Sequence, residues 1–367
     1  LYTAQIGDGA DGRFTGSINA AFAVPSPAPG EEPPALPGET YDLAWYRDGT
    51  MYTGLRTTVR QRDLATIYAS YRAEATGTRG EKATIARRGD LSYWIVPSPV
   101  GLPQRRTEYV NTEPGVRWAH TFSQQLPPPD GSPWPTEVSW SSAPPATLRA
   151  GRAYAQDWNK AVFAPTVTGQ EWSAVSRTGD TILAGVPTHG EGSGHPGGSV
   201  LTGARVALFR GDTPVEEVAA ATGSFEVPPE PAGYRLELSA TRGAPHTLSA
   251  RVSAVWTFRS GHETAPDVPL PLSTVRFDPA LDEHNKAPAN QTVRVPVHID
   301  QQVPVAVKSL AVQVSFDDGR TWRAVPVSGR AAVIRHPAGA GFVSLRATAV
   351  TSGGTVTQEV IRAYPIG

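Results

Sequence analysis

The chain has 367 residues, of which 39% are hydrophobic and 18% charged, with a formal net charge of -1. That balance is globular, too apolar for disorder and too near neutral for a global attraction to nucleic acid or anionic lipid. No apolar run approaches membrane-spanning length, and the chain length predicts two or three domains.

The 35 prolines and 36 glycines are spread along the chain. Long helices tolerate this poorly, because an interior proline removes a donor and clashes with the preceding turn. Short strands joined by turns tolerate it well. The expected fold class is therefore all-β, as tandem antiparallel β-sandwich domains of jelly-roll or immunoglobulin-like type. Cysteine is absent, so no disulfide framework and no thiolate metal site exist. Only four of the 33 basic residues are lysine, a bias expected of a GC-rich bacterial genome. The opening LYTAQIGDG has no initiator Met, basic region or apolar leader. It reads as the start of a processed or truncated piece.

Residues 1–150 form the expected first domain, rich in aromatic residues. One strand precedes the tract PSPAPGEEPPALPG, a loop or linker near residues 25–38. In GDGADG, Asp8 and Asp11 are a candidate calcium turn, although the acidic density of a dedicated loop is missing. The run TVRQRDLATIYASYRAEA predicts a short helical turn over Arg60–Ala65 and then a strand, since β-branched and aromatic residues crowd its second half. Trp45, Trp94 and Trp134 are the candidate ligand-binding rings, because flat indoles stack on sugars. Trp134, held between prolines in SPWP, is the best candidate for exposure, whereas Trp140 follows Val138 in TEVSW and is expected in the core.

Residues 151–266 form the expected jelly-roll-like sandwich. The loop PTHGEGSGHPGG gathers His189, Glu191 and His195, residue types that bind zinc or calcium. The loop is glycine-rich and lacks the helix that gives spaced histidines a fixed geometry, so a plain loop competes with a metal site. Arg210-Gly211-Asp212 spells an adhesion tripeptide, but a hairpin turn before Val215 explains the same residues. In SARVSAVWTFRS, Val252, Ala254, Trp256 and Phe258 alternate with polar residues. HETAPDVPLPLS, from His262 to Ser273, reads as an interdomain linker.

Residues 267–367 form the expected immunoglobulin-like domain. QTVRVPVHID, SLAVQVSF and FVSLRATAV each alternate apolar and polar residues, the period of strands packed on one face. SFDDGRTW, from Ser315 to Trp322, fits Ser-x-Asp-x-Gly-x-Thr-Trp and resembles the Asp-box of sialidase propellers. Propellers carry several copies, one per blade, and this chain has one. The reading is a hairpin turn, with the aspartate capping local amides and glycine supplying the dihedral. No Gly-x-Ser-x-Gly elbow is present, and Asp48-Gly49-Thr50-Met51 lacks the serine of a subtilisin-type Gly-Thr-Ser-Met-Ala. Nothing points to a carboxylate pair for glycoside cleavage.

Several segments together resemble a known family: AGRAYAQDWNKAVFAP, SRTGDTILAGVPTHGEGSGHPG, GYRLELSATRGAPHTLSARVSAVWTFRSGH, VRFDPALDEHNKAPA and VQVSFDDGRTWRAVPV with GFVSLRATAV. Their order and wording are similar to the long C-terminal region of large secreted subtilisin-like serine peptidases of filamentous GC-rich bacteria. The resemblance is good from about Arg149 onward, looser over Tyr41–Gln125 and slight before that. In that family the catalytic Asp, His and Ser lie in a domain N-terminal to this region. None of those motifs occurs here, so no catalytic residue carries over. The resemblance implies an extracellular origin, serine-peptidase parentage, and the precursor's own N-terminal peptidase domain as partner. The expected function is a non-catalytic module that stabilises the peptidase or holds it near protein substrate or cell envelope. The alternative is a free-standing binder of polysaccharide or envelope, acting through the aromatic-rich first half. Neither reading involves nucleic acid or membrane, and calcium is the one candidate cofactor.

Overall fold

The structure, a computed structural model, describes residues 15–25, 37–48, 58–95, 97–127, 135–167 and 175–367. Among these the only helix is the 3-10 turn Gln61–Asp63, which leads into a strand as the sequence predicts. All else is strand, turn and loop. Two compact units are formed, the first from residues 1–72, 77–136 and 142–158, the second from 73–76, 137–141 and 159–367.

The strands from residue 1 to 158 are β1 (Thr15–Pro25), β2 (Pro37–Asp48), β3 (Leu64–Tyr71), β4 (Arg79–Arg88), β5 (Leu91–Trp94), β6 (Ser98–Val100), β7 (Gln104–Asn111), β8 (Arg117–Leu126), β9 (Thr136–Ala146) and β10 (Ala153–Trp158). One sheet of the first unit has the order β1-β2-β7-β3-β10. The other runs β9-β8-β4-β5, with β6 also on β4. The two share one core: Ala44, Ile67, Tyr71, Val110 and Trp158 come from the first sheet, Ala86, Tyr93, Trp118 and Phe122 from the second. This is a sandwich, closed by apolar residues that alternate inward from both sheets. Two of its pairings, β2 with β7 and β10 with β3, are parallel within the otherwise antiparallel pattern. In each case the intervening chain crosses to the other sheet, which is what a parallel connection requires.

The second unit follows with β11 (Val175–Gly179), β12 (Thr181–Gly185), β13 (Gly197–Ser199), β14 (Gly203–Arg210), β15 (Thr213–Val218), β16 (Thr222–Glu226), β17 (Ala232–Thr241), β18 (Arg251–Ser260) and β19 (Glu263–Pro269). Then come β20 (Ser273–Phe277), β21 (Thr292–Gln301), β22 (Val307–Ser315), β23 (Arg323–Val325), β24 (Val327–Ser328), β25 (Ala331–Arg335), β26 (Gly341–Thr351) and β27 (Gly354–Ile366). Eight strands make one antiparallel sheet in the order β15-β14-β17-β18-β27-β26-β22-β23. Two four-stranded sheets, β16-β12-β11-β19 and β20-β21-β25-β24, pack with it, and β13 pairs with Ser139–Ser141 of β9. A single core joins all three, from Val162 to Ile366, and includes Phe225, Trp256, Phe277, Val297, Ile334 and Leu345.

The division expected near residue 267 is therefore not where the compact units part. β18 pairs with β27 from Arg251↔Ile361 to Phe258↔Gly354, so 151–266 and 267–367 share a sheet and a core. The stretch read as a linker is strand β19, paired with β11. It lies at the end of its sheet, where prolines forfeit no ladder hydrogen bond. Just beyond it, Leu270 and Leu272 are buried core residues. The alternations read from sequence do set the inward faces: Val252, Ala254, Trp256, Phe258, Val295, Val297, Val312, Val314, Val343, Leu345 and Ala347 are all buried.

Candidate functional site

The glycine-rich loop 187–198 is the strongest concentration of chemistry-bearing side chains named by the sequence. It is held by an antiparallel bridge between Ala164 and Gly190, by His189 N–H donating to Gly197 O, and by β13 pairing with Ser139–Ser141. Its glycines are needed for close packing. A β-carbon on Gly192 would stand 2.6 Å from Ala161 O, and one on Gly197 would stand 2.5 Å from Trp140 O.

At the centre is the buried carboxylate of Glu191. Its Oε1 accepts from Ser141 Oγ at 2.6 Å and from the Asn159 backbone N–H at 2.8 Å. Its Oε2 accepts from Ser193 Oγ at 2.9 Å and meets His195 Nδ1 at 3.0 Å. His189 is not part of this group. Its Nδ1 is 2.9 Å from Thr188 Oγ1 and its Nε2 is 3.3 Å from Ser249 O. Burial, with Arg242 nearby, pushes His189 well below the usual imidazole range, so it is neutral and fully bonded. Of the candidate metal set His189, Glu191 and His195, the fold brings Glu191 and His195 together, while both His189 nitrogens face other partners. Among the described residues no group of three or more His, Asp or Glu is placed to hold a metal ion. The candidate calcium turn at Asp8 and Asp11 lies outside the described residues.

Ser193, His195 and Glu191 have the residue types of a hydrolytic triad but not its wiring. Both the Ser193 hydroxyl, at 3.3 Å, and the Glu191 carboxylate approach the same nitrogen, Nδ1. A relay needs the hydroxyl on one ring nitrogen and the acid on the other. The carboxylate is an anchor.

A second buried anchor lies at Glu74, missed in the sequence because its partners are over 160 residues away. Arg242 Nη2 donates to Glu74 Oε1 at 3.0 Å, and His246 Nδ1 meets Oε2 at 2.5 Å. Burial pushes the Glu74 carboxyl up, but Arg242 and His246 outweigh it and the net shift is downward.

Of the three candidate rings, Trp94 on β5 is 64% exposed. Trp45 is half-buried against Leu43, Leu64 and Tyr109. Trp134 lies outside the described residues. Trp140, expected in the core, is 39% exposed and lies against Gly198, its partner across β9 and β13. Only its same-face neighbour Val138 is buried.

The two turn readings are confirmed in detail. Gly211, at φ +59, turns β14 into β15, and Arg210 pairs with Glu230. In SFDDGRTW, Asp317 Oδ1 accepts from Ser315 Oγ and from the Thr321 N–H, and Oδ2 accepts from Thr321 Oγ1 at 2.6 Å. These bonds, Thr321's first among them, hold Asp317 down at about 2. A separate cleft of about 530 Å³ opens at one end of the eight-stranded sheet, lined by Gly211, Asp212, Tyr234, Phe258, Arg259 and Gly353 among others.

Fold and site together define an all-β protein of antiparallel-sheet sandwiches whose buried acids serve as anchors. No family model and no curated protein matches the chain. Among solved structures, the three N-terminal domains of the bacteriophage RB49 highly immunogenic outer capsid protein align over 83% of this chain and 98% of their own, at 7% identity and a TM-score of 0.19. The FN1–FN3 domains of chicken CNTN1 align over 82% of this chain and 96% of theirs, at 9% identity and a TM-score of 0.17.

Proposed function

We propose that this chain is a non-catalytic accessory module of a secreted subtilisin-like serine peptidase, stabilising the enzyme or holding it near protein substrate or envelope. The observation that carries the reading is the wiring of Glu191. A serine, a histidine and an acid come together, and the acid is spent on four donors that fix a loop. The ordered resemblance of residues 149–367 to the C-terminal regions of such peptidases supplies the parentage. Two measurements test it. The gene upstream of Leu1 should encode an Asp/His/Ser peptidase domain. The purified chain should leave casein intact and take no label from a serine-directed phosphonate. Turnover with labelling of this chain overturns the non-catalytic reading, and an upstream signal peptide with no peptidase domain overturns the parentage.

The exposed Trp94 favours a second reading, a binder of extracellular polysaccharide. An indole with most of its face in water offers a stacking platform. Trp94→Ala should then abolish pull-down by insoluble glycans without changing the unfolding midpoint.

A further inference from the structure

The core of the first unit holds charge where a sandwich normally places apolar side chains. Lys82 on β4 and Arg106 and Glu108 on β7 have side-chain exposures of 1%, 1% and 3%. Lys82 Nζ lies 2.7 Å from Glu108 Oε2, 3.2 Å from the Tyr71 hydroxyl and 4.9 Å from the centre of the Trp158 ring. From the other side, Arg106 Nη2 and Nε donate to Glu108 Oε1 at 2.9 and 3.1 Å.

Asp42 is the fourth member. In the parallel pair β2–β7, Thr40 stands beside Glu108 and Asp42 beside Val110. Asp42 therefore projects from the same face as Glu108, one pleat along. Across the core, Thr84 hydrogen-bonds the Asp42 carboxyl, and Thr84 and Lys82 are two apart on β4, hence on one face. The flexible four-carbon stem of a lysine spans one pleat, about 7 Å. One amine thus has two carboxylates within reach.

Such a cluster is a poor way to stabilise a core, since Coulomb attraction between buried ions seldom offsets their desolvation. The choice of base is also telling. The chain uses arginine almost throughout and has four lysines in all, yet lysine occupies this site. Arginine stays protonated, whereas a desolvated lysine becomes a nucleophile.

We propose that Lys82 and Asp42 condense into an intramolecular isopeptide bond, a covalent staple between the two sheets of the first unit. Lys82 Nζ attacks Asp42 Cγ; the C–N bond forms and one C–O bond breaks. Two of the three ammonium protons leave with that carboxyl oxygen as water, relayed by Glu108. The third stays on the amide nitrogen, and no oxidant or cofactor is needed. The environment suits each role. Burial lowers Lys82 toward the free amine and pushes Asp42 up to about 6, toward the neutral acid. Burial would raise Glu108 as well, but Lys82 and Arg106 hold it at about 2, an anion beside the amine that must lose its proton. Phe122 and Trp158 pack over the site and exclude the water that would reverse the reaction. Condensation removes the charge of the buried Lys82 together with that of Asp42 and leaves one matched pair, Arg106 with Glu108. In a chain without cysteine, this staple takes the place of a disulfide.

The test is the intact mass of the full, folded chain, followed by peptide mapping. The expected mass is one water below that of the sequence, with the Asp42 peptide joined to the Lys82 peptide. Lys82→Arg, Lys82→Met and Glu108→Gln should each restore the full sequence mass. Asp42→Asn, nearly isosteric, should lose one ammonia instead of one water, because the leaving group is then the side-chain amide. The unstapled variants should melt roughly 10 °C lower, as expected for opening a 40-residue loop in a unit of this size. A wild-type chain at its full sequence mass overturns the proposal without reference to any variant. So does a water loss that persists in Lys82→Arg, or a map that joins Lys82 to Glu108.

Discussion

Asp317 and Gly319 illustrate how much one turn can depend on two residues. Gly319 has φ +83, a region that L side chains rarely adopt, and a β-carbon there would stand 2.7 Å from Ile361 Cδ1. Gly319→Ala should destabilise the second unit by about 1–2 kcal/mol from the dihedral alone, with further loss from the contact, measured by thermal unfolding. Asp317→Ala should also lower the midpoint, and by less, since the turn keeps its backbone path. The pH dependence has a definite sign. The Asp317 carboxyl titrates at about 2 in the fold, below its ordinary 3.8. Its contribution is therefore complete above pH 3.8 and is lost as pH falls toward 2. The gap between wild type and Asp317→Ala should shrink over that window. Glu191 calls for a larger effect. Removing it leaves the Ser141, Asn159, Ser193 and His195 donors facing a void, and Glu191→Ala should cost roughly 3 kcal/mol or more in denaturant titrations. Glu191→Gln, which keeps one acceptor oxygen, should cost less.

At the scale of elements, edge strand β19 decides how the second unit behaves. A proline-rich connector between two domains would be cut readily by proteases and would release a folded C-terminal fragment. Here the same residues pair with β11, and Leu270 and Leu272 pack in the core behind them. Two polar clamps add to this. Trp256 Nε1 donates to Ser273 O at 2.7 Å, and the buried Gln358 amide bonds both N–H and C=O of Val275. Limited proteolysis should therefore yield no stable fragment beginning between residues 262 and 290. Recovery of a folded fragment starting there would show that β19 and the clamps contribute little. Gln358→Leu should remove protection at β20, because two backbone groups of Val275 lose their partners.

At the scale of the whole molecule, the eight-stranded sheet makes residues 159–367 one cooperative body. β17, β18, β27 and β26 are successive neighbours in it, although they come from both sides of residue 267. Native-state hydrogen exchange should find the amides of these four strands opening with a common free energy. Two separate free energies, divided at the β18–β27 pairing, would contradict the shared core. Such cooperativity has a consequence for resistance to proteolysis. Local opening is what proteases exploit, and a sheet without an internal domain boundary offers few places to start.

The sequence by itself determined the class of the fold and the inward faces of its strands. Period-2 alternation is a local property, written within each run of residues, and it placed Trp256, Val295, Val314 and Leu345 in the core correctly. Turn chemistry is local too. Asp317, Gly319 and Gly211 were legible because each requirement is met within a few residues. Only the tertiary structure decided which strands are neighbours. Proline near residue 267 looks the same in a linker and in an edge strand, since both lack a partner for its missing N–H. The placement of His189 was undecided for a related reason: spacing brought it near Glu191 in sequence, but the backbone turned its ring toward Ser249. The buried acids were invisible for the opposite reason. Glu74 finds Arg242 and His246, and Glu108 finds Lys82, across separations that no local pattern records. Charges like these are legible only once the chain has enclosed them, because burial is what changes their chemistry.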